Sequence, residues 1–250
     1  MKNIIILGYG QIGKSIDGIY NGFGEFAVHY KDKDKETPGI EFLEKDEVDI
    51  MHVCIPYNEA FNDAVIKELN LYNPKLTIIH STVKVGTTRN LQEATGNFIV
   101  HSPIMGVHPN LTESIKTFTK ILGGIDHEAV QHAEYHFGAL GIKTIIYGSP
   151  EESELSKLLS TTYYYHCINF MKHTHMLCEK YNVDFEQVYG FTNEIYNEGY
   201  EKMGMEFVKR PILKYIPGNT GGHCLVPNAE ILKNEFKPAK RLLEDEYDSI

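Results

Sequence analysis

Short apolar runs separated by stretches with helical spacing dominate the first 147 residues of this chain. The runs at 3–7, about 26–30, 48–55, 76–80, 97–101, 119–123 and 142–147 have strand length and read as buried strands. Most are separated by helical patterns, the clearest from Asn58 to Leu71, although the connection between the second and third runs holds only Thr37 to Asp46. Alternation of this kind predicts an α/β fold with a doubly wound parallel sheet. From Pro150 the pattern becomes wholly helical. Glu151 to about Tyr181 contains neither Pro nor Gly, and it is longer than the ~8–20 residues of an ordinary globular helix. Its apolar and aromatic residues Leu155, Leu158, Leu159, Tyr163, Tyr164, Ile168, Phe170 and Met171 spread over more than one face, which predicts a homodimer. A second helix follows from Asp184 to about Glu201. Pro211, Pro217 and a run of glycines then make an irregular loop. The expected organisation is a sheet domain over 1–148 and a small all-helical domain over 149–250.

The first strand run leads directly into Gly8-Tyr9-Gly10-Gln11-Ile12-Gly13, and a helix-compatible stretch from Gln11 to Tyr20 follows. Strand, G-x-G-x-x-G and helix in that order form a Rossmann-type dinucleotide fingerprint. Its glycines make the tight turn and let the backbone approach a pyrophosphate at the helix N-terminus. The acid expected about 20 residues further on, to hold the adenosine ribose hydroxyls, is Asp32. It lies in Lys31-Asp32-Lys33-Asp34-Lys35, where a lysine equally suits the extra phosphate of NADP. NAD is the expected cofactor, because the acid is present and no arginine accompanies it.

Composition narrows the classes. At 250 residues with 42% hydrophobic content the chain can bury a core, so it is not disordered. A net charge of -10 argues against a nucleic-acid partner, which needs a basic surface. No run approaches the ~20 apolar residues of a membrane span, and the N-terminal run is too short for a secretion signal. Cys54, Cys167, Cys178 and Cys224 are scattered without C-x-x-C spacing, which fits a reducing cytoplasm rather than a disulfide framework. His132 and His136, and His173, His175 and Cys178, stand at helical spacings without a further ligand at a recognised interval, so no metal site is predicted.

Gly221-Gly222-His223-Cys224-Leu225 resembles the nucleophile loop of the UDP-glucose/GDP-mannose dehydrogenases. Ser81-Thr82-Val83-Lys84-Val85-Gly86-Thr87-Thr88 is similar to that family's loop after the fourth strand. Glu154-Leu155-Ser156-Lys157 is similar to its catalytic-lysine segment, and Cys178-Glu179-Lys180-Tyr181-Asn182-Val183-Asp184 to the end of its central helix. The resemblance covers nearly the whole chain. The family usually carries a further C-terminal domain for the nucleotide of the substrate, and the chain, ending soon after Cys224, reads as a short form without it.

The resemblance implies an NAD-dependent dehydrogenase acting on a polar alcohol, with a nucleotide sugar as the small-molecule candidate. Cys224 would be the nucleophile, its thiolate favoured by the helix expected from near Pro227. Lys157 would stabilise an oxyanion or assist proton removal, and Thr82 would position water or the substrate hydroxyl. Ser81 and Pro56 would flank the cofactor beside Thr82. A plainer reading makes Thr82 part of the cap of a helix starting at about Thr87.

Three family positions have changed. The Pro-Glu after the fifth strand, whose glutamate serves as base, is Pro103-Ile104 here. The asparagine four residues after the lysine is Thr161, and the aspartate four after the cysteine is Asn228. Loss of the base predicts one oxidation per substrate rather than two. Two rival readings remain. In one, a two-electron dehydrogenase of the beta-hydroxyacid type uses Lys157 and leaves Cys224 incidental. In the other, the chain is a non-catalytic NAD(P)-binding regulatory protein. His101-Ser102-Pro103-Ile104-Met105-Gly106 also bears a short likeness to the His-Pro-Met-Gly loop of prephenate dehydrogenases.

Overall fold

The computed structural model describes residues 1–35, 40, 43–106, 109–218 and 225–244. Every apolar run forms a strand: β1 (Lys2–Leu7), β2 (Phe26–Lys31), β3 (Ile50–Val53), β4 (Leu76–Ile79), β5 (Ile99–His101), β6 (Lys120–Gly124) and β7 (Thr144–Ile146). Several are shorter than their runs. β3 stops at Val53 because its partner β1 ends there, at Leu7, where the chain turns through Gly8. The strand order is β2-β1-β3-β4-β5-β6-β7. The chain thus winds outward to β2, then returns across β1 to start β3.

Five helices cover the sheet: α1 (Gln11–Ile19), α2 (Phe61–Tyr72), α3 (Thr87–Thr95), α4 (Leu111–Thr117) and α5 (His127–Ala139). Alternate strand residues face opposite sides. Ile4, Ile6, Ile50 and Ile78 pack with Ile16 and Phe137 on one face, and Ile5, Met51, Val53 and Ile79 with Phe61 and Val65 on the other. A Rossmann-type sheet buried on both faces results.

In one place the expected parallel sheet is corrected. β6 runs antiparallel to β5, pairing Val100 with Gly124 and His101 with Gly123. The intervening α4 has only seven residues, about 10 Å of helix, and packs on α1, where a Cβ on Gly18 would lie 2.8 Å from Thr112 Oγ1. The chain therefore re-enters the sheet from the edge at which β5 left it.

After β7 the described residues are helical or irregular. They form α6 (Pro150–Tyr181, 32 residues), a π-helical turn at Glu186–Phe191, α7 (Thr192–Lys202), a 3-10 turn at Glu206–Val208, α8 (Leu225–Leu232) and α9 (Lys237–Glu244). Among the described residues no helix is long and apolar enough to cross a membrane. Two compact units divide the chain, Met1–Lys157 and Leu158–Ile250, so that α6 contributes to both. α6 starts on Pro150, suited to a first helical position, with Glu151 and Glu152 in its first turn. It ends where Asn182 turns left-handed at φ 52° and Val183 N–H bonds back to Cys178 O at 3.0 Å.

The first turn of α3 has no cap of its own, because its N-cap is Gly86 at φ 90°. Glu154 of α6 supplies one. Its carboxylate, fully buried, accepts from Gly86 N–H at 2.6 Å, Thr88 N–H at 2.8 Å and Thr88 Oγ1 at 2.7 Å. Thr82 is therefore not the cap of this helix. Burial pushes the Glu154 carboxyl above its ordinary value, although the Thr88 and Gly86 donors pull the other way.

Removal of the Glu154 carboxylate strands these donors. We expect Glu154→Ala to cost roughly 2–4 kcal/mol in urea unfolding, and Glu154→Gln, which keeps an acceptor, to cost less. A Glu154→Ala midpoint equal to wild type would show that the cap contributes nothing.

Candidate functional site

Parallel β1, β2, β3, β4 and β5 end along one edge, and the return across β1 opens a crevice there. Gly8 to Gly13, Asp32, Pro56, Ser81 and Thr82 all lie on this edge, each just beyond a strand end.

The three glycines have different physical reasons. Gly8 sits at φ +91°, and a Cβ there would lie 2.8 Å from Ile55 Cγ2. A Cβ on Gly13 would stand 2.0 Å from Gly8 O, so close packing of α1 on β1 demands a glycine. Gly10 is different: a Cβ there would meet nothing within 4 Å. Among the described residues no contact demands a glycine at Gly10, whereas close approach of a ligand would. Gly10 is also the N-cap of α1, which has neither a side-chain cap nor an acid in its first turn, so its amide groups and dipole are available to an anion. The residues present therefore fit a dinucleotide pyrophosphate.

Asp32 directly follows β2. Its Oδ2 accepts from Tyr9 N–H at 2.7 Å and its Oδ1 from Asp34 N–H at 3.0 Å, while Lys35 Nζ lies 3.7 Å away. The Tyr9 and Asp34 amides hold its carboxyl below the usual range. Asp32 is fixed against the glycine turn, with lone pairs left for ribose hydroxyls. The Tyr9 ring stacks on Tyr30 at 3.8 Å, its hydroxyl donates to Asp17 at 2.5 Å, and Lys35 binds its carbonyl. On the next strands Ser81 Oγ donates to Ile55 O at 2.6 Å, tying the end of β4 to the loop that holds the exposed Pro56.

Lys157 Nζ donates to Ile104 O at 2.8 Å, and Lys120 Nζ to Ser102 O at 3.2 Å and Pro103 O at 3.3 Å. Three successive carbonyls after β5 are thus held by two lysines. Lys120 is buried, and desolvation lowers its pKa to about 7. Ile104 is itself buried, at 6% exposure. His101 Nε2–H donates to Ser81 O at 3.2 Å and its Nδ1 accepts from Ser153 Oγ at 2.8 Å, while Arg89 holds Glu151 through two bonds of 2.6 and 3.1 Å.

In unit 2, Asn228 is buried and its Nδ2 donates to Thr161 Oγ1 at 3.2 Å. Two of the family departures therefore bond to each other. α8 begins at Leu225, with Pro227 in its first turn. Cys224, with Gly221, Gly222 and His223, lies outside the described residues.

Sequence reasoning missed a row of buried polar groups under the crevice. His80 Nδ1 meets Ser102 O at 2.7 Å, His52 Nδ1 meets His80 Nε2 at 2.9 Å, and Tyr20 OH meets His52 Nε2 at 2.5 Å and His136 Nε2 at 2.8 Å. Burial drives all three histidines well below their ordinary value, His136 to about 3, and raises Tyr20, so every member is neutral. A carbonyl only accepts, so His80 carries its proton on Nδ1. His80 Nε2 must then accept from His52 Nδ1–H. His52 Nε2 accepts from Tyr20 O–H, and Tyr20 accepts from His136 Nε2–H. One carbonyl fixes every tautomer, and the row ends at His136 Nδ1, a buried acceptor with no partner. The signal was present in the sequence: His52, His80 and Lys120 interrupt runs otherwise apolar.

No family model matches the sequence, and no curated protein matches it. Solved structures do match. A UDP-D-ManNAc dehydrogenase from Pyrococcus horikoshii superposes with TM-score 0.71 at 18% identity, over 97% of this chain and 68% of that one. A UDP-glucose dehydrogenase from Pyrobaculum islandicum gives 0.68 at 17% identity, over 98% and 67%. A 3-hydroxyisobutyrate dehydrogenase from Mycobacterium tuberculosis gives 0.62 at 19%, over 78% and 70%. These likenesses extend the α/β fold to nearly the whole chain. This chain spans about two thirds of the length of each.

Burial of neutral histidines links stability to pH. The folded values of His52, His80, His101 and His136 lie below that of a free histidine, so the unfolded chain takes up protons that the folded chain refuses. The contribution of these rings should be complete above about pH 6.5 and shrink as the pH falls into the acid range, whereas Lys120, lowered to about 7, adds stability as the pH rises above 7. Urea unfolding at stepped pH measures this, and nitrogen-15 NMR reads the tautomers. His52 and His80 should appear as Nδ1–H and His136 as Nε2–H, whereas an Nε2–H signal from His80 would reverse the row.

Proposed function

We propose that the chain is an NAD-dependent dehydrogenase that oxidises a CH–OH group of a polar alcohol, with a nucleotide sugar as the substrate class. The observation that carries this reading is Gly10, whose open flank lies at an uncapped helix N-terminus beside Asp32. Superposition on dehydrogenases of UDP-sugars supports the substrate class. The cofactor would supply a hydride acceptor. The N–H groups of α1 would hold its pyrophosphate, Asp32 would accept from its adenosine ribose hydroxyls, Ser81 and Thr82 would approach its nicotinamide, and Pro56 would flank it. Lys157 carries a positive charge to the substrate oxygen, and Cys224 is the nucleophile.

The position of the family's base is the buried Ile104, so one NADH per substrate is the expected yield. That change also favours the second reading, a beta-hydroxyacid-type enzyme acting through Lys157 alone, in keeping with the 3-hydroxyisobutyrate dehydrogenase match. Cys224→Ser separates the two: a single-turnover burst that leaves a Cys224 adduct visible by mass spectrometry, and that is lost in the variant, supports the nucleophile, whereas one NADH per substrate with no adduct and unchanged in the variant supports the alternative.

A thermal-shift assay tests the cofactor. Millimolar NAD or NADH should raise the melting temperature by mass action. Gly10→Val should abolish that rise while melting near wild type without ligand, because its side chain meets only open space. Gly13→Ala should instead lower the ligand-free melting temperature. No rise with NAD, NADH or NADP removes the dehydrogenase reading.

Homodimerisation belongs to the same proposal. Tyr163, Phe170, Ile195 and Phe207 are 61%, 67%, 70% and 83% exposed in the single chain, an apolar exposure that calls for cover. Light scattering should give about 57 kDa, twice the 28.5 kDa of one chain, and the monomer value would refute it.

A further inference from the structure

Within unit 2, α6 buries polar side chains beside apolar ones such as Leu158 and Met171. Thr161, Tyr165, Asn169 and Lys172 recur at spacings of four, four and three residues, which places them on one side of the helix within an arc of about 80°. Tyr165, Asn169 and Lys172 are buried, whereas Tyr163, Tyr164 and Phe170, on other faces, are exposed. A helix on the surface of a globular unit usually shows the reverse pattern. Withdrawing polar side chains from water is costly unless they are hydrogen-bonded.

Two of these side chains are bonded to the parts of the chain that adjoin the 219–224 segment. Lys172 Nζ donates to Gly218 O, just before it, and Thr161 Oγ1 accepts from Asn228 Nδ2, just after it. Asn169 lies between these anchors along the helix, three residues from Lys172 and eight from Thr161. It is 4% exposed, yet neither its Oδ1 nor its Nδ2 has a hydrogen-bond partner. Leucine has the same number of side-chain heavy atoms in the same branched arrangement and would occupy the position without stranding a donor and an acceptor. The fold alone gives no reason for a carboxamide here.

We propose that Asn169 is a specificity-determining residue that binds hydroxyl groups of a polyhydroxylated substrate. This rests on the dehydrogenase reading and deepens it. A carboxamide presents an acceptor and a donor side by side, and neighbouring hydroxyls on a carbon skeleton, each able to donate and accept, satisfy both. An anionic group would leave Oδ1 without a donor, and an apolar group would leave both atoms unpaired.

The test compares wild type, Asn169→Leu and Asn169→Gln in thermal shift and calorimetric titration with UDP-glucose, UDP-N-acetylmannosamine and GDP-mannose, each with NADH present. Without ligand, Asn169→Leu should melt at or above the wild-type temperature. Affinity for the sugar nucleotide that wild type binds best should fall about tenfold or more in Asn169→Leu, with part of it kept in Asn169→Gln. Stabilisation by NADH alone should be the same in all three. A lower ligand-free melting temperature for Asn169→Leu would show a structural amide, completed by buried water, and overturn the proposal. Undiminished sugar-nucleotide affinity in that variant, or wild type that binds none of the three, would overturn it too. Failure of NADH to stabilise wild type would sink the dehydrogenase reading instead, while the ligand-free melting and the sugar affinities still decide the role of Asn169.

Discussion

The carboxylate of Glu154 joins the sheet to the long helix, and the arrangement of the crevice follows from it. One buried side chain takes up the donors that α3 cannot satisfy for itself, and so fixes the first turns of α6 against the end of β4. On either side of it Ser153 reaches His101 and Glu151 reaches Arg89. One turn further on, Lys157 comes onto the Ile104 carbonyl. A side chain on a long helix is no better placed than the root of that helix. Here the root is held by buried hydrogen bonds, which are strong because no water competes for them.

The sheet was legible because its information is local. Runs of Ile, Val and Leu bounded by glycines announce buried strands, and the fingerprint says where the first of them turns. The reversal of β6 was not legible. It depends on where α4 docks, a tertiary matter that a seven-residue amphipathic stretch does not state. In the crevice, Gly8 to Gly13 and Asp32 were readable from spacing, since that spacing is imposed by the turn itself. Glu154 was quoted only as a neighbour of Lys157, because capping across helices depends on residues 66 and 68 positions apart. The histidine row was missed for a similar reason: its members come from β3, α5 and the ends of α1 and β4, far apart in the sequence.

The family departures read differently once they are seen as contacts. Thr161 and Asn228, each a lost polar partner in the sequence, form a pair of their own. Ile104 offers a backbone carbonyl where a carboxylate was expected, and Lys157 binds it. The lysine therefore keeps an oxygen to hold, although that oxygen carries only a partial charge.

The row from His136 to Ser102 has a sense of direction. Each N–H and O–H in it faces the next group on the way to Ser102 O, so every donor runs in one sense along the row. No single ring can reverse without leaving a neighbour facing donor to donor, so the polarity changes as a whole or not at all. The interior thus holds a row of fixed polarity, kept in place by a single peptide oxygen.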